Sequence, residues 1–168
     1  AELSVATVAP IVRRGVLLDF AALEGVEMLT PDFAIAPERT EAALRAEGVM
    51  VEPGDVVLLR TGRDACWEDP PRYLDGGRAP GPDEAAARWL SERRVFAAGS
   101  DTMSFERVPS PGMPVHAHLL VESGIHILEC LNLRELARER VYSFVFVGAP
   151  LKIRGGTGGP IRPLALAL

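Results

Sequence analysis

The sequence predicts a single mixed α/β domain covering residues 1–168. Three observations carry this prediction. Short apolar runs of strand length alternate with segments of helical character, turn residues punctuate the boundaries, and 16 glycines with 14 prolines suit a strand-and-loop-rich domain better than a helical bundle. The length is that of one domain around one hydrophobic core. With 48% hydrophobic and 24% charged residues, the chain has the composition of a folded globular protein rather than a disordered one.

Each element has a local reason. Residues 15–20 (GVLLDF) form an apolar run suited to a buried strand. Ala36-Pro37-Glu38 opens a helix with proline in its first turn and an acid beside it; the helix turns Ala43 and Leu44 inward and stops at Gly48. Pro53-Gly54-Asp55 is turn chemistry ahead of a strand at 56–59. Residues 61–82 read as a long loop holding Cys66, Trp67 and Tyr73, and loops of that length in compact domains are usually functional or mobile. Pro82-Asp83-Glu84 begins a second helix with Ala86, Trp89 and Leu90 on its inner face, and residues 95–98 form a strand ended by Gly99. A proline-rich loop at 104–113 leads to a helix at 116–122 that Gly124 terminates, then to a strand at 125–128. Asn132 with Glu135 matches a capping box for a helix at 133–138. Residues 142–147 are a buried strand, 155–160 a glycine-rich loop, and Leu164, Leu166 and Leu168 alternate as a last strand. These patterns leave strand direction open.

Composition excludes several functions. A net charge of −5 argues against a dedicated nucleic-acid binder, and 6% aromatic residues against a base-stacking platform. Two cysteines, Cys66 and Cys130, are too few for a disulfide framework and fit a reducing, cytoplasmic setting. No run approaches the ~18 apolar residues of a membrane span, and the first twenty residues show no secretory signal pattern.

The candidate chemistry clusters late in the chain. His116, His118 and His126 fall within eleven positions, and Glu129 follows. Imidazole and carboxylate are ordinary ligands of Zn²⁺ or Mn²⁺, and histidine titrates nearest neutrality, which suits proton transfer. The spacing equally fits one surface histidine, one structural histidine and a salt-bridged glutamate. Asp101 and Ser104 lie in a loop directly after a strand, where α/β proteins place ligand sites, although Asp101 also suits a turn-capping role. No G-x-S-x-G elbow surrounds Ser104. The loop at 155–160 lacks the Lys-Ser/Thr of a phosphate-binding loop; its glycines suit close backbone approach to a substrate or a neighbouring subunit, and Lys152, Arg154 and Arg162 flank it. Trp67 either lines a pocket or covers the core, and no sequence partner marks Cys66 as a nucleophile.

In order along the chain, GVLLDF, PGDVVLLRTG (53–62), GSDTMS (99–104), PVHAHLLVESGIHILECLNLREL (114–136) and FVFVGAPLKIRGGTGGPIRPLA (144–165) together resemble the cyclase family of metal-dependent hydrolases, which includes kynurenine formamidase and isatin hydrolase. The resemblance runs from about Pro10 onward. It implies a swivelling β/β/α fold and hydrolysis of C–N bonds in small cyclic or N-formyl amides, with Zn²⁺ or Mn²⁺ activating a water. It implies His116 and Glu129 as metal ligands. Asp101 and Ser104 stand as candidates for shaping the substrate pocket, and His118, without a family counterpart, either backs the site or faces solvent.

Two departures matter. The family's main metal motif, H-x-G-T-H-x-D-x-P-x-H, is absent, since no histidine precedes His116, and Gly159 stands where the family often has serine. Two protein ligands fall short of the three that catalytic zinc sites normally supply. The expectation is therefore an incomplete chain, inactive alone, that works with a companion N-terminal segment or as a homo-oligomer; the opening Ala1-Glu2-Leu3 also reads as a cut end. A non-catalytic binding or scaffold domain is the alternative.

Overall fold

The computed structural model describes residues 4–167; Ala1 to Leu3 and Leu168, the last of the alternating leucines, lie outside the described residues. The strands are β1 (Ile11–Asp19), β2 (Ala34–Ile35), β3 (Val56–Arg60), β4 (Gly81–Pro82), β5 (Ala97–Ser100), β6 (His126–Leu128), β7 (Ser143–Gly148) and β8 (Leu164–Leu166). The helices are α1 (Phe20–Leu23), α2 (Pro37–Glu47), α3 (Pro70–Leu74), α4 (Glu84–Glu92), α5 (Pro114–His116) and α6 (Arg134–Arg138). The architecture is mixed α/β. A six-stranded sheet has the order β6-β5-β3-β1-β7-β8, and β2 pairs with β4 in a separate two-stranded sheet.

Strand direction divides the main sheet. β1, β3, β5 and β6 run parallel, whereas β7 lies antiparallel to β1 and β8 antiparallel to β7. Alternation along β1 sends Val16 and Leu18 into one core with Phe20, Val57, Leu59, Trp89, Leu90 and Leu119. It sends Leu17 to the opposite face with Leu58, Leu128, Phe144 and Phe146. A strand buried on both faces reads as an unbroken apolar run, which explains GVLLDF. β1 begins at Ile11, four residues before that run, because its first half pairs with β7 at one end of the sheet, where Val12 and Arg13 are exposed.

Several boundaries have local reasons. α2 ends at Gly48, whose φ of 67° is the left-handed conformation that glycine adopts without a Cβ penalty. Asp83 caps α4 by accepting from the Ala86 amide at 2.8 Å. The capping box at Asn132 does not form: Asn132 Oδ1 accepts from the Arg134 amide at 3.2 Å in a two-residue turn, and Leu133 precedes α6 without a side-chain cap. Residues 61–82, read as an open loop, are folded into a 3₁₀ turn (Arg63–Cys66), α3, a second 3₁₀ turn (Asp75–Gly77) and β4. α5 continues into π-helical turns over Ala117–Glu122. Among the described residues no helix is long and apolar enough to cross a membrane.

Two positions make the packing testable. A Cβ at Gly15 would stand 2.2 Å from the Phe144 ring, so Gly15→Ala should lower stability by about 1–3 kcal/mol through overpacking, read as a lower denaturation midpoint. Glu47 is the second. Its Oε1 accepts from the Asp19 amide at 2.6 Å, while Oε2 is buried without a partner. Burial, helped by the Asp19 charge and opposed by that amide, pushes the carboxyl from its ordinary 4.5 up to about 7. A carboxyl whose pKa rises on folding contributes stability that is complete below its unfolded value and is lost as pH climbs through the folded one. Denaturation curves at pH 5 and pH 8 should therefore show wild type losing stability on the alkaline side. Glu47→Gln, which keeps the acceptor but cannot ionise, should flatten that loss.

Candidate active site

Parallel strands align their carboxyl ends on one edge, and α/β folds build sites there. Arg60, at the end of β3, bridges Asp19 at the end of β1 and Asp64, each at 3.1 Å. Asp101 follows β5. Its carboxylate is fully buried and accepts from the Thr61 amide (2.9 Å), the Thr61 hydroxyl (2.8 Å) and the Asp64 amide (3.3 Å). Burial first, and then the neighbouring Asp64 charge, push it up to about 6 against those hydrogen bonds. Its carbonyl also accepts from the Tyr73 hydroxyl at 3.0 Å. All of these contacts point inward, so Asp101 organises the loop after β3 rather than forming a pocket wall.

Glu129 and His116 frame the next group. Glu129 leaves the end of β6 with Oε1 accepting from the Phe105 amide at 2.7 Å. His116 sits in α5, with Nε2 at 3.2 Å from that same oxygen. Behind the ring, Nδ1 lies 2.9 Å from Oε2 of Glu106, a side chain only 1% exposed. Glu106 also accepts from the Ser110 hydroxyl (2.6 Å) and the amides of Val115 (3.2 Å) and His116 (3.3 Å). Burial works against the Glu106 charge, but these hydrogen bonds outweigh it and hold the carboxyl below its ordinary range. The Glu129 hydrogen bond, against burial and with Glu106 adding to it, raises His116.

The pairing has a particular chemistry. An ionised carboxylate only accepts, so the Nδ1 facing Glu106 carries hydrogen, and in the neutral ring Nε2 is then an acceptor. That acceptor faces a second one, Oε1 of Glu129. Such a pair needs a proton or a metal cation between its lone pairs. Ligand atoms about 2.1 Å from one divalent ion stand roughly 3.0–3.4 Å apart across an octahedral or tetrahedral edge. The 3.2 Å separation fits that spacing, and a carboxylate behind a ligating imidazole is the usual support of a metal-binding histidine. Among the described residues, no group of three His, Cys, Asp or Glu side chains is arranged to hold a metal ion.

The remaining candidates lie elsewhere. His118, two positions on, faces the other way: its Nε2 is 2.8 Å from the Ser91 hydroxyl and its Nδ1 2.7 Å from Glu122. It braces the π-helical turns against α4. His126 opens β6 at the end away from Glu129, packed on Phe96 with ring centroids 5.0 Å apart, and burial lowers its pKa. Ser104 is buried; its carbonyl accepts from the Thr102 hydroxyl at 2.6 Å, and its own hydroxyl has no partner. Cys66 is buried against Met28, whereas Cys130, beside Glu129, is exposed.

A cleft of about 870 Å³ adjoins Glu129. Leu58, Phe144 and Phe146 of the sheet line it, with Trp67, Cys130 and the glycine-rich segment at Gly158–Gly159. Trp67 is 42% exposed and meets Tyr73 edge to face at 5.6 Å, so it lines this cleft rather than covering the core. Glu106 was not marked by the sequence, because no local pattern links an acid in SFERVPS to a histidine ten positions later.

Comparison with known proteins identifies the family. Residues 2–107 match the model of the family described as "Putative cyclase". A curated relative, isatin hydrolase of Roseibium aggregatum, is 32% identical over 145 residues, 81% of this chain and 53% of the relative. A solved structure described as a novel cyclase superposes with a TM-score of 0.83 at 31% identity, covering 91% of this chain and 52% of the other. A further structure, described as a potential metal-dependent hydrolase with cyclase activity, gives a TM-score of 0.66 at 25% identity over 92% of this chain and 64% of its own. The chain thus spans about half the length of the curated relative it matches. The family match covers most of the parallel sheet and Glu106, and the structural likeness extends across nearly the whole chain, so this chain belongs to the Putative cyclase family.

Proposed function

We propose that this chain supplies His116 and Glu129 to a divalent-metal centre that hydrolyses a C–N bond of a small cyclic or N-formyl amide. The observation that carries the reading is the approach of His116 Nε2 to Glu129 Oε1, held 3.2 Å apart with a buried carboxylate behind the ring. Zn²⁺ or Mn²⁺ bound there would lower the pKa of a coordinated water towards neutrality and polarise the amide carbonyl. The chain's own contribution is positional. Glu106 and the Phe105 amide fix the two donor atoms, and the largely apolar cleft beside Glu129 accepts the carbon skeleton of a substrate. Trp67 offers that skeleton an aromatic wall, which suits a planar ring amide of the kind named in the relative from Roseibium aggregatum. The remaining metal ligands come from outside the described residues, so the isolated chain binds metal weakly and turns over little or no substrate.

Calorimetric titration of the chain with Zn²⁺ and with Mn²⁺ tests this, with isatin ring opening followed by absorbance. Outer-sphere partners of metal sites are worth about 10–100-fold in affinity, so His116→Ala and Glu129→Ala should each weaken binding at least that much. Binding that is unchanged in both variants would overturn the assignment of the ligands. Tight stoichiometric binding with turnover by the isolated chain would overturn the incomplete ligand set.

A further inference from the structure

We propose that Glu106 is a positioning residue that selects the tautomer of His116 and thereby decides whether Nε2 can ligate at all. This rests on the metal-centre reading of His116 and goes beyond it by assigning the control of that ligand to a residue ten positions upstream.

The argument is one of donors and acceptors. Glu106 is buried, and each of its oxygens takes two donors: Oε1 from the Ser110 hydroxyl and the Val115 amide, Oε2 from the His116 amide and ring Nδ1. Two of the four donors, the Val115 and His116 amides, cannot become acceptors, whereas the Ser110 hydroxyl and the ring nitrogen can. Against an ionised carboxylate both of these donate. A carboxylate at that place compels Nδ1–H and leaves the Nε2 lone pair aimed at Glu129. The same carboxylate holds the His116 main chain through its amide, so ring and backbone are fixed by one group. The loop bearing Glu106 is itself anchored: the amides and carbonyls of Ala79 and Val108 exchange hydrogen bonds at 3.2 and 2.9 Å, two residues beyond Glu106.

Replacement by leucine removes the acceptor at similar size. With no oxygen left behind Nδ1, Oε1 of Glu129 is the one carboxylate oxygen facing the ring, and the hydrogen moves to Nε2, whose lone pair is then lost to the metal. Glu106→Asp is acceptor-only like the wild type and differs only in reach.

The test is long-range ¹H–¹⁵N spectroscopy of the three imidazoles without metal, at a pH where His116 is neutral, with His116 assigned from its loss in His116→Ala. Wild type should show Nδ1 as the pyrrole-type nitrogen and Nε2 as the pyridine-type one. Glu106→Leu should exchange the two, and Glu106→Asp should retain the wild-type form. Zn²⁺ affinity should fall by about 10–100-fold in Glu106→Leu and recover in part in Glu106→Asp. A wild-type ring protonated at Nε2 would overturn the proposal, whatever the folding of the variants. So would a folded Glu106→Leu protein with the wild-type tautomer and wild-type Zn²⁺ affinity. Exchange of tautomers in a chain that binds no Zn²⁺ would uphold the role of Glu106 while removing the metal-centre reading.

Discussion

The carboxylate of Asp101 is the contact on which the functional edge depends. It is buried at the end of β5 and satisfied by three donors from the turn after β3, so the two loops cannot separate without stranding a carboxyl in the core. Through Asp64 the same knot reaches Arg60 and Asp19, which extends it across the ends of β3 and β1. Beyond it the chain passes Ser104 and Phe105 to reach Glu106. The Phe105 amide holds Glu129, and Glu106 holds His116. A fixed loop after β5 is therefore what allows residues from two later elements to meet within a few ångström.

Much of this was legible in one dimension. Uninterrupted apolar runs marked β1 and β3 because parallel strands are buried on both faces, and Gly48 marked the end of α2 because its left-handed conformation is stereochemically dictated. The order of motifs singled out His116 and Glu129, and the structure brings the two side chains within 3.2 Å of each other. What escaped has a common physical origin in partners chosen across space. Asp101 could equally have been a pocket residue or a turn anchor, and only the position of Thr61 and Asp64 decides for the anchor. Asn132 had the spacing of a capping box yet bonds two residues ahead. Glu106 looked like any acid in a polar loop, although its neighbours make it one of the most constrained side chains in the protein. His118 shows the converse, since closeness in sequence to His116 places it on another side of a helical turn.

The cleft beside Glu129 shares a wall with the core. Leu58, Phe144 and Phe146 belong to the packed face of the sheet and at the same time floor the cavity beside Glu129. The crossover helices α1, α2 and α4 pack with α5 in the other core, while this face is covered by α6 and its flanking residues Leu131, Leu133 and Val141, by Val8 and by Ile161 after β7. Site and scaffold are thus built from one set of side chains, and a change in floor volume alters both.

The placement of β1 between β3 and β7 has a consequence for synthesis. One edge of β1 can be matched as soon as Val56–Arg60 has been made, but the other waits for Ser143–Gly148, where Val16 meets Ser143. A ribosome adding roughly 5–20 residues per second leaves that interval open for several seconds. During it, the hydrogen-bonding groups of the central strand lie bare beside an apolar sequence, a template for unwanted pairing with a neighbouring nascent chain. Arg13 and Arg14, two adjacent cations on that waiting edge, put charge where such pairing would begin.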